Sequence, residues 1–508
     1  MSQARHTRPA DPGQPPARLY TAAQTRALDR QAIDAGTDGF DLMCRAGKAA
    51  FKALRQHWPK AQRLLVLCGA GNNAGDGYVV AALAARAGLQ ARIVALKSPQ
   101  ELKHEAAAAV SMAQAEQVPV EQGITALESA TDADVVVDAL LGTGAKGAPR
   151  GSYADAIEWI NAQPAGVLSI DIPSGVNADT GQYDTAVSAD LTISFIGRKF
   201  GLYTGLAADV CGQRLFDDLG LADTLVNQAD GCASLLDDSI ISRCLPPRLP
   251  SSHKGHTGHL LVVGGAPGYG GSCIMLSEAA ARSGAGLVSL ATDAAHLAPA
   301  LARCPVLMVR GVRSGLEIQD LLESARGVAV GPGLGQGAWG EGLLLAVLEA
   351  GLPSVVDADA LHLLKRCHPT LKRDDWILTP HPGEAAALLG ISAAEVQADR
   401  LGAAQALWQQ RGGVIVLKGN GTLIVDGADD QHCAVCPLGN PGMASGGMGD
   451  VLGGIIGGLL VQGLAPVDAA RAGVYIHALA ADKAALALGE RGLMATDLAS
   501  FVHSIVNP

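Results

Sequence analysis

Arg63-Leu64-Leu65-Val66-Leu67, the loop Gly69-Ala70-Gly71-Asn72-Asn73-Ala74-Gly75-Asp76-Gly77, the stretch Tyr78 to Ala87 and the run Ala91 to Leu96 follow one another as strand, glycine loop, helix and strand. An apolar run of strand length, a loop free of side-chain bulk and a longer apolar segment make a βαβ unit. Further apolar runs end in acidic or glycine turns at Val135-Val136-Val137-Asp138, Val167-Leu168-Ser169-Ile170-Asp171 and Leu191-Thr192-Ile193-Ser194-Phe195. The pattern predicts a doubly wound parallel sheet, with ligands at the carboxyl ends of its strands.

The rhythm breaks between Asn227 and Ser252, where Leu245-Pro246-Pro247-Arg248-Leu249-Pro250 can continue neither a helix nor a central strand. A second α/β series then opens at His259-Leu260-Leu261-Val262-Val263. It continues at 327–330, 353–356, 376–378 and 414–417. The two halves share no fixed period, so the chain reads as an α/β fusion of two different domains. The expected limits are a flexible tail at 1–17, a first domain at 18–226, a linking segment at 227–252 and a second domain at 253–508.

A chain of 508 residues with 48% hydrophobic and 17% charged residues is long enough for two cores. A formal charge of −11 argues against nucleic acid as a partner, because a phosphate backbone calls for a basic surface. Ten scattered cysteines, with Cys433 and Cys436 the close pair, form no zinc pattern and fit reduced core residues in the cytosol. The prolines at 9, 12, 15 and 16 stand among polar residues without an apolar signal core. No apolar run reaches the roughly 20 residues that span a bilayer, so no membrane is expected.

The late stretch Gly439-Asn440-Pro441-Gly442-Met443-Ala444-Ser445-Gly446-Gly447-Met448-Gly449-Asp450 sets a carboxylate after a glycine run, before the apolar segment Val451 to Val461. Without Cβ atoms, successive N–H groups can converge on an anion, and the helix that follows adds the positive end of its dipole. Asp450 would then take a proton from a hydroxyl undergoing phosphorylation. The competing reading is a glycine-softened helix start capped by Asp450.

The loop at 69–77 carries amide and carboxylate oxygens that suit a hard cation, while its N–H groups suit a phosphate; a helix cap with a solvated Asp76 is the alternative. Asp138 before Gly142-Thr143-Gly144, and Asp171 before Pro173-Ser174-Gly175, bring two more carboxylates to strand ends. On these motifs the first half, about residues 20 to 225, resembles the NAD(P)HX epimerase domain, whose substrates are hydrated nicotinamide nucleotides. The resemblance implies that Asn72, Asn73, Ala74, Gly75 and Asp76, the segment Gly142, Thr143, Gly144, Ala145, Lys146, Gly147 and Ala148, and Asp171 bind the hydrated dinucleotide. It also implies that Asn73, Asp138 and Ser174 ligate K⁺. Asp171 is the candidate acid-base, with Asp138 as the alternative. Lys199 falls at the family's lysine-glycine turn or in a solvated basic loop.

In the second half the motifs are His253-Lys254-Gly255-His256-Thr257-Gly258, Gly331-Pro332-Gly333-Leu334-Gly335, Val356-Asp357-Ala358-Asp359, Thr379-Pro380-His381-Pro382-Gly383-Glu384 and Gly446 through Asp450. The glycines at 331–335 require close backbone approach, by a ligand or by another loop. Asp357 and Asp359 either cap the next helix or meet substrate or metal. Lys418-Gly419-Asn420-Gly421-Thr422 could be only an Asn-Gly hairpin turn. Across residues 235 to 508 these motifs resemble the ADP/ATP-dependent NAD(P)HX dehydratase, a ribokinase-like fold. The resemblance implies substrate contacts at Gly333, His381 and Asp450, with nucleotide contacts at Lys418, Gly419, Asn420, Gly421, Thr422, Gly447 and Gly449. The implied donor is Mg²⁺ with ADP or ATP. This sequence departs from the family at Gly270-Gly271-Ser272-Cys273, where the family commonly places alanine after glycine. The resemblance leaves homo-oligomerisation open, and its close rival is a hydroxymethylpyrimidine or sugar kinase joined to a non-catalytic nucleotide-binding module.

Overall fold

A computed structural model describes residues 17–129, 132–145, 147–221, 230–429 and 432–507. Lys146, the expected tail up to residue 16 and the expected domain limit at 226 lie outside the described residues. Contacts divide the chain into two compact units that meet in sequence at Ala233 and Ser234.

In the first unit the strands β2 (Arg63–Cys68), β3 (Gln90–Ala95), β4 (Val120–Gln122), β5 (Val135–Ala139), β6 (Gly166–Ile170), β7 (Leu191–Phe195) and β9 (Gln213–Asp217) form one sheet in the order β4-β3-β2-β5-β6-β7-β9. All these pairings are parallel. The chain leaves β2 in one direction through β3 and β4, then returns to β5 on the other side. The carboxyl ends of β2 and β5 therefore flank the topological switch, the place where open α/β sheets bind ligands. Two short strands, β1 (Arg18–Tyr20) and β8 (Arg198–Lys199), pair separately, with Tyr20 opposite Lys199.

Strand alternation sends Leu64, Val66 and Cys68 to one buried cluster and Leu65 and Leu67 to another, so both faces of the sheet are covered. That is why these strands appear in the sequence as unbroken apolar runs. The helices α1 (Ala22–Asp34), α2 (Gly39–His57) and α3 (Asn72–Arg86) serve the carboxyl edge and one face. Helix α3 is buried on nearly every side because small residues line it. A Cβ at Gly47 would lie 2.4 Å from Val79, and one at Gly75 would lie 2.5 Å from the Met43 sulfur. Helix α3 also starts at Asn72 rather than near Tyr78, so most of the expected loop is helical.

The second unit carries strands β10 to β19: Ala233–Leu235, His259–Val263, Leu287–Thr292, Met308–Gly311, Gly327–Val330, Ser354–Val356, Trp376–Leu378, Val414–Leu417, Leu423–Val425 and Cys433–Val435. Their order is β13-β12-β11-β14-β15-β16-β17-β18-β19-β10, parallel except where β18 runs against β17 and β19. The helices Gly270–Arg282, Met448–Val461 and Pro466–Leu488 cover one face through Leu276, Ile455, Leu459 and Ile476. Each such buried Leu or Ile contributes about 1.5–3 kcal/mol relative to exposure. Glycine lets two of these helices touch, since a Cβ at Gly454 would meet the Leu276 carbonyl oxygen at 2.2 Å. The stretch expected only to link the domains holds β10 and a short helix, Ser239–Cys244, whose Ile240 and Ile241 belong to this core.

Candidate active sites

In the first unit the loops after β2, β5 and β6 converge. Asp138 ends β5 fully buried, and its carboxylate accepts hydrogen bonds from Ser169 Oγ (2.8 Å), Ser174 N (2.8 Å), Ser174 Oγ (2.6 Å) and Leu140 N (3.2 Å). Burial raises its pKa and these donors oppose the rise. Asp138 is therefore a tie between strand ends with its acceptor sites occupied, and it is poorly placed to exchange protons with a substrate. Asn73 is the opposite case: both its Oδ1 and Nδ2 are buried and lack a partner. A Cβ on Gly142 would come 3.3 Å from the Asn73 Cβ, so the loop after β5 lies directly against it. The Leu141 N–H donates to Ser174 Oγ at 2.9 Å. The orphaned amide oxygen of Asn73 is a hard donor of the kind that suits K⁺. Among the described residues no group of three or more His, Cys, Asp or Glu could hold a metal ion.

Asp171 follows β6 with φ of 68°, a left-handed conformation that costs a non-glycine residue on the order of 1 kcal/mol or more. Its backbone N–H donates to the Ile193 carbonyl at 2.7 Å, and its carboxylate pairs with Lys199. Lys199 is 1% exposed and also donates to the Phe195 carbonyl at 2.9 Å. The solvated-loop reading of Lys199 is thus overturned: a buried ammonium needs its partner, and Asp171 supplies it. Asp76, the fifth residue of α3, is held well above the usual carboxylate range by burial and by Asp171 and Asp29, which Lys199 only partly offsets. It is half-buried rather than a solvated cap. The described residues of the segment 142–148 are mostly exposed, and the Thr143 carbonyl accepts from Arg26 Nη1 at 3.2 Å.

In the second unit Asp450 sits inside the helix Met448–Val461, in its first turn, after Gly447 with φ of 89°. Gly447 is the N-cap and makes no side-chain cap, so Asp450 does not cap this helix. Its carboxyl is pushed up to about 6, chiefly by burial and then by Asp357, with a Ser272 hydrogen bond and Lys418 working the other way. Ser272 lies in the departing Gly270-Gly271-Ser272-Cys273 stretch, which here opens the helix Gly270–Arg282 beside Asp450. Asp357 caps nothing: it is buried and accepts from Lys418 Nζ at 2.8 Å. Asp359 likewise caps nothing, and instead takes the Gly335 N–H at 2.9 Å.

Lys418 lies 3.7 Å from Glu384 Oε2, and a Cβ on Gly449 would stand 3.3 Å from its Nζ. Burial opposes its charge, but Asp357, Glu384 and Asp450 outweigh burial and hold its pKa above the ordinary lysine value. The segment from Lys418 to Thr422 does join antiparallel strands β17 and β18, as a hairpin turn would. Buried Arg400 braces that turn through the carbonyls of Leu417, Lys418 and Gly421 at 3.3 to 3.4 Å. The Gly331–Gly335 turn packs against another loop, for the Ala266 N–H donates to the Gly333 carbonyl at 2.6 Å.

His381 stands at the N-terminus of the helix Pro382–Leu389, and its Nδ1 accepts from the Glu384 N–H at 3.1 Å. That bond fixes the proton of a neutral imidazole on Nε2, on a side chain 56% exposed. His477 was not legible in the sequence. It is buried in the helix Pro466–Leu488, its Nε2 has no partner, and burial with Lys418 outweighs a bond to the Met448 backbone, lowering its pKa to about 4.

A doubly wound domain with carboxylates at its strand ends, followed by a second α/β domain with a carboxylate at a glycine turn, makes a two-site α/β protein of the enzyme class. Residues 260–503 match the family described as NAD(P)H-hydrate dehydratase, and residues 39–201 match the YjeF-related protein N-terminus. The bifunctional NAD(P)H-hydrate repair enzyme Nnr of Coxiella burnetii is 47% identical over 491 residues, 96% of this chain and 99% of the relative. The Escherichia coli enzyme of the same name is 46% identical, covering 99% of this chain and 96% of its own length. A ribokinase-like superfamily protein from Enterococcus faecalis superposes with a TM-score of 0.50 at 31% identity, over 54% of this chain and 94% of its own. The chain belongs to the bifunctional NAD(P)H-hydrate repair enzymes.

Proposed function

We propose that the first unit interconverts the R and S epimers of hydrated NADH and NADPH, and that the second dehydrates the S epimer at the expense of ADP or ATP. The observation that carries this reading is Asp450: a carboxyl lifted to about 6, in the first turn of a helix at a glycine turn, near the half-buried Lys418. A hydroxyl is a poor leaving group. Asp450 takes its proton as a phosphoryl group arrives, and the N–H groups of Gly446 to Gly449 stabilise the charge as phosphate departs and the ring double bond returns. Lys418 holds Asp357 and Asp450 in one electrostatic set and faces the nucleotide phosphates. Gly333 and His381 line the substrate side, and Gly419, Asn420, Gly421, Thr422, Gly447 and Gly449 the nucleotide side. Mg²⁺ bound with the nucleotide would relieve the charge on its phosphates.

At the first site Asp171 is the acid-base residue, in preference to the saturated Asp138. Asn72 to Asp76 and Gly142 to Ala148 hold the dinucleotide. Asn73, Asp138 and Ser174 would hold K⁺, Asn73 with a free amide oxygen and Asp138 and Ser174 by giving up hydrogen bonds they now make to one another. Free thiols at all ten cysteines suit a cytosolic protein.

The test is incubation with hydrated NADH and ADP or ATP, following reduced-nicotinamide absorbance and phosphate. Recovery of absorbance with free phosphate is expected, whereas a stable phosphorylated product would mean a small-molecule kinase. A base must be ionised, so dehydration should fall with a single-proton limb as pH drops through about 6 and be flat just above it.

Potassium gives a separate expectation. Because the Asn73 side chain has no protein partner, Asn73→Ala should leave the fold intact yet abolish the potassium response of epimerisation. Titrating potassium against lithium in both proteins tests this, and an unchanged response would remove the cation from the account. Asp138→Ala is a poorer probe, since it strands four donors whose loss costs about 1–3 kcal/mol apiece.

A further inference from the structure

The anion site of the second unit is built from backbone N–H groups, and these are only as well placed as the loop that carries them. That loop runs from the end of β19 at Val435 to the helix that starts at Met448, so the N–H groups of residues 446–449 lie at its far end. Glycines at 439, 442, 446, 447 and 449 leave the stretch little stiffness of its own. Its path has to be set by partners outside it.

We propose that Asp482 of the helix Pro466–Leu488 is the positioning residue of this loop, acting through Asn440 to hold the phosphate-receiving N–H groups in register with Asp450. The inference rests on the dehydratase reading of the second unit and adds to that site a residue from the following helix.

The contacts form a relay. Asp482 Oδ2 accepts the Gly439 N–H at 3.1 Å, and its Oδ1 accepts from Asn440 Nδ2 at 2.8 Å. A carboxylate only accepts, so it fixes which way the Asn440 amide faces. Asn440 Oδ1 is thereby turned to the Gly442 N–H, which donates to it at 3.0 Å and opens the single helical turn Pro441–Met443. Beyond that turn, Ser445 Oγ donates to the Leu493 carbonyl at 3.1 Å. Space is short on the other sides. A Cβ at Gly442 would lie 2.7 Å from the Glu490 carbonyl oxygen, and one at Gly447 would lie 2.6 Å from Met275 Cε and 3.1 Å from Ala495 Cβ. Asp482 is the charged member of these partners, and hydrogen bonds to an ionised acceptor are roughly twice as strong as neutral ones.

The helix that carries Asp482 also supports the helix that carries Asp450. A Cβ at Gly473 would stand 2.6 Å from Ile456 Cγ1, and Ala469, Ala472 and Ile476 share one buried core with Ile455. One packed element therefore fixes both the base and the loop that leads to it. A misplacement of about 1 Å in such groups costs on the order of 10²-fold in rate. Donors that act on developing charge show that loss in kcat more than in KM.

The experiment reverses the polarity of the relay. Asp482→Asn puts an amide where Asn440 Nδ2 needs an acceptor, so the Asn440 side chain must turn over and set its own Nδ2 against the Gly442 N–H. Asn440→Asp alone brings two carboxylates together. In the double variant Asn440→Asp/Asp482→Asn, the amide donates to the carboxylate, which still accepts from Gly442, and the Gly439 bond survives. Wild type and the three variants, as full chains, are assayed for dehydration of the pure S epimer of hydrated NADH with ADP, alongside epimerisation and Tm. Each single variant should lower the dehydration kcat roughly tenfold to a hundredfold with KM for the S epimer within about threefold, and the double variant should return to within about threefold of wild type. Epimerisation should be the same in all four. A single variant at wild-type kcat, a double variant no faster than the singles, or losses that follow Tm alone would overturn the role of Asp482. Wild type that yields no NADH would instead defeat the dehydratase reading, and this role with it.

Discussion

Asp450→Asn is expected to lower dehydration of hydrated NADH by a factor of roughly 10²–10⁴, the usual cost of removing a general base, while epimerisation continues at the wild-type rate. The amide keeps the shape of the side chain and a contact for Ser272 but cannot take a proton. It also removes a carboxylate that burial and Asp357 disfavour, so thermal stability should hold or rise. A fall in activity without a fall in Tm separates lost chemistry from lost folding. Epimerisation survives because each unit has its own sheet and core. Equal loss of both activities in a folded protein would rule out two independent sites.

Asp171→Asn should reverse the pattern, suppressing epimerisation by roughly 10²–10⁴-fold and leaving dehydration of pure S epimer untouched. This substitution has a structural cost, because it leaves the Lys199 ammonium, 1% exposed, without its ion-pair partner. Breaking a buried pair from one side typically costs about 3–5 kcal/mol, so the first unit should melt earlier. Pairing Asp171→Asn with Lys199→Met removes the stranded charge and should recover much of the stability but none of the epimerisation. If that double variant regained activity with stability, Asp171 would be only a counter-ion.

The sequence exposed those features that local physics dictates. The central strands were legible because a parallel strand covered on both faces has to be apolar throughout, as Leu64–Leu67, Val135–Val137 and Leu260–Val263 are. The glycine turn before Asp450 was legible because its Gly447 takes φ of 89°, a conformation that favours glycine. The edge strands Val120–Gln122 and Met308–Gly311 were missed: they are partly exposed and carry no such signature. Asp482, Ser272, Arg400 and His477 escaped for another reason. Each is an ordinary helical residue in its own segment and gains meaning only from a partner far along the chain, as Ser272 does from Asp450 and Arg400 from the turn after Leu417. Lys199 and Asp357 were each left between two readings because the deciding partner, Asp171 or Lys418, comes from another strand end.

The most direct test of the whole account is a mass balance. An equimolar mixture of the two epimers of hydrated NADH is incubated with excess ADP, and NADH and phosphate are counted to completion. The account predicts that wild type converts the entire pool with one phosphate released per NADH, and that Asp171→Asn pauses when the S half is consumed. Wild-type conversion that stopped at one half, or NADH formed without phosphate, would contradict it.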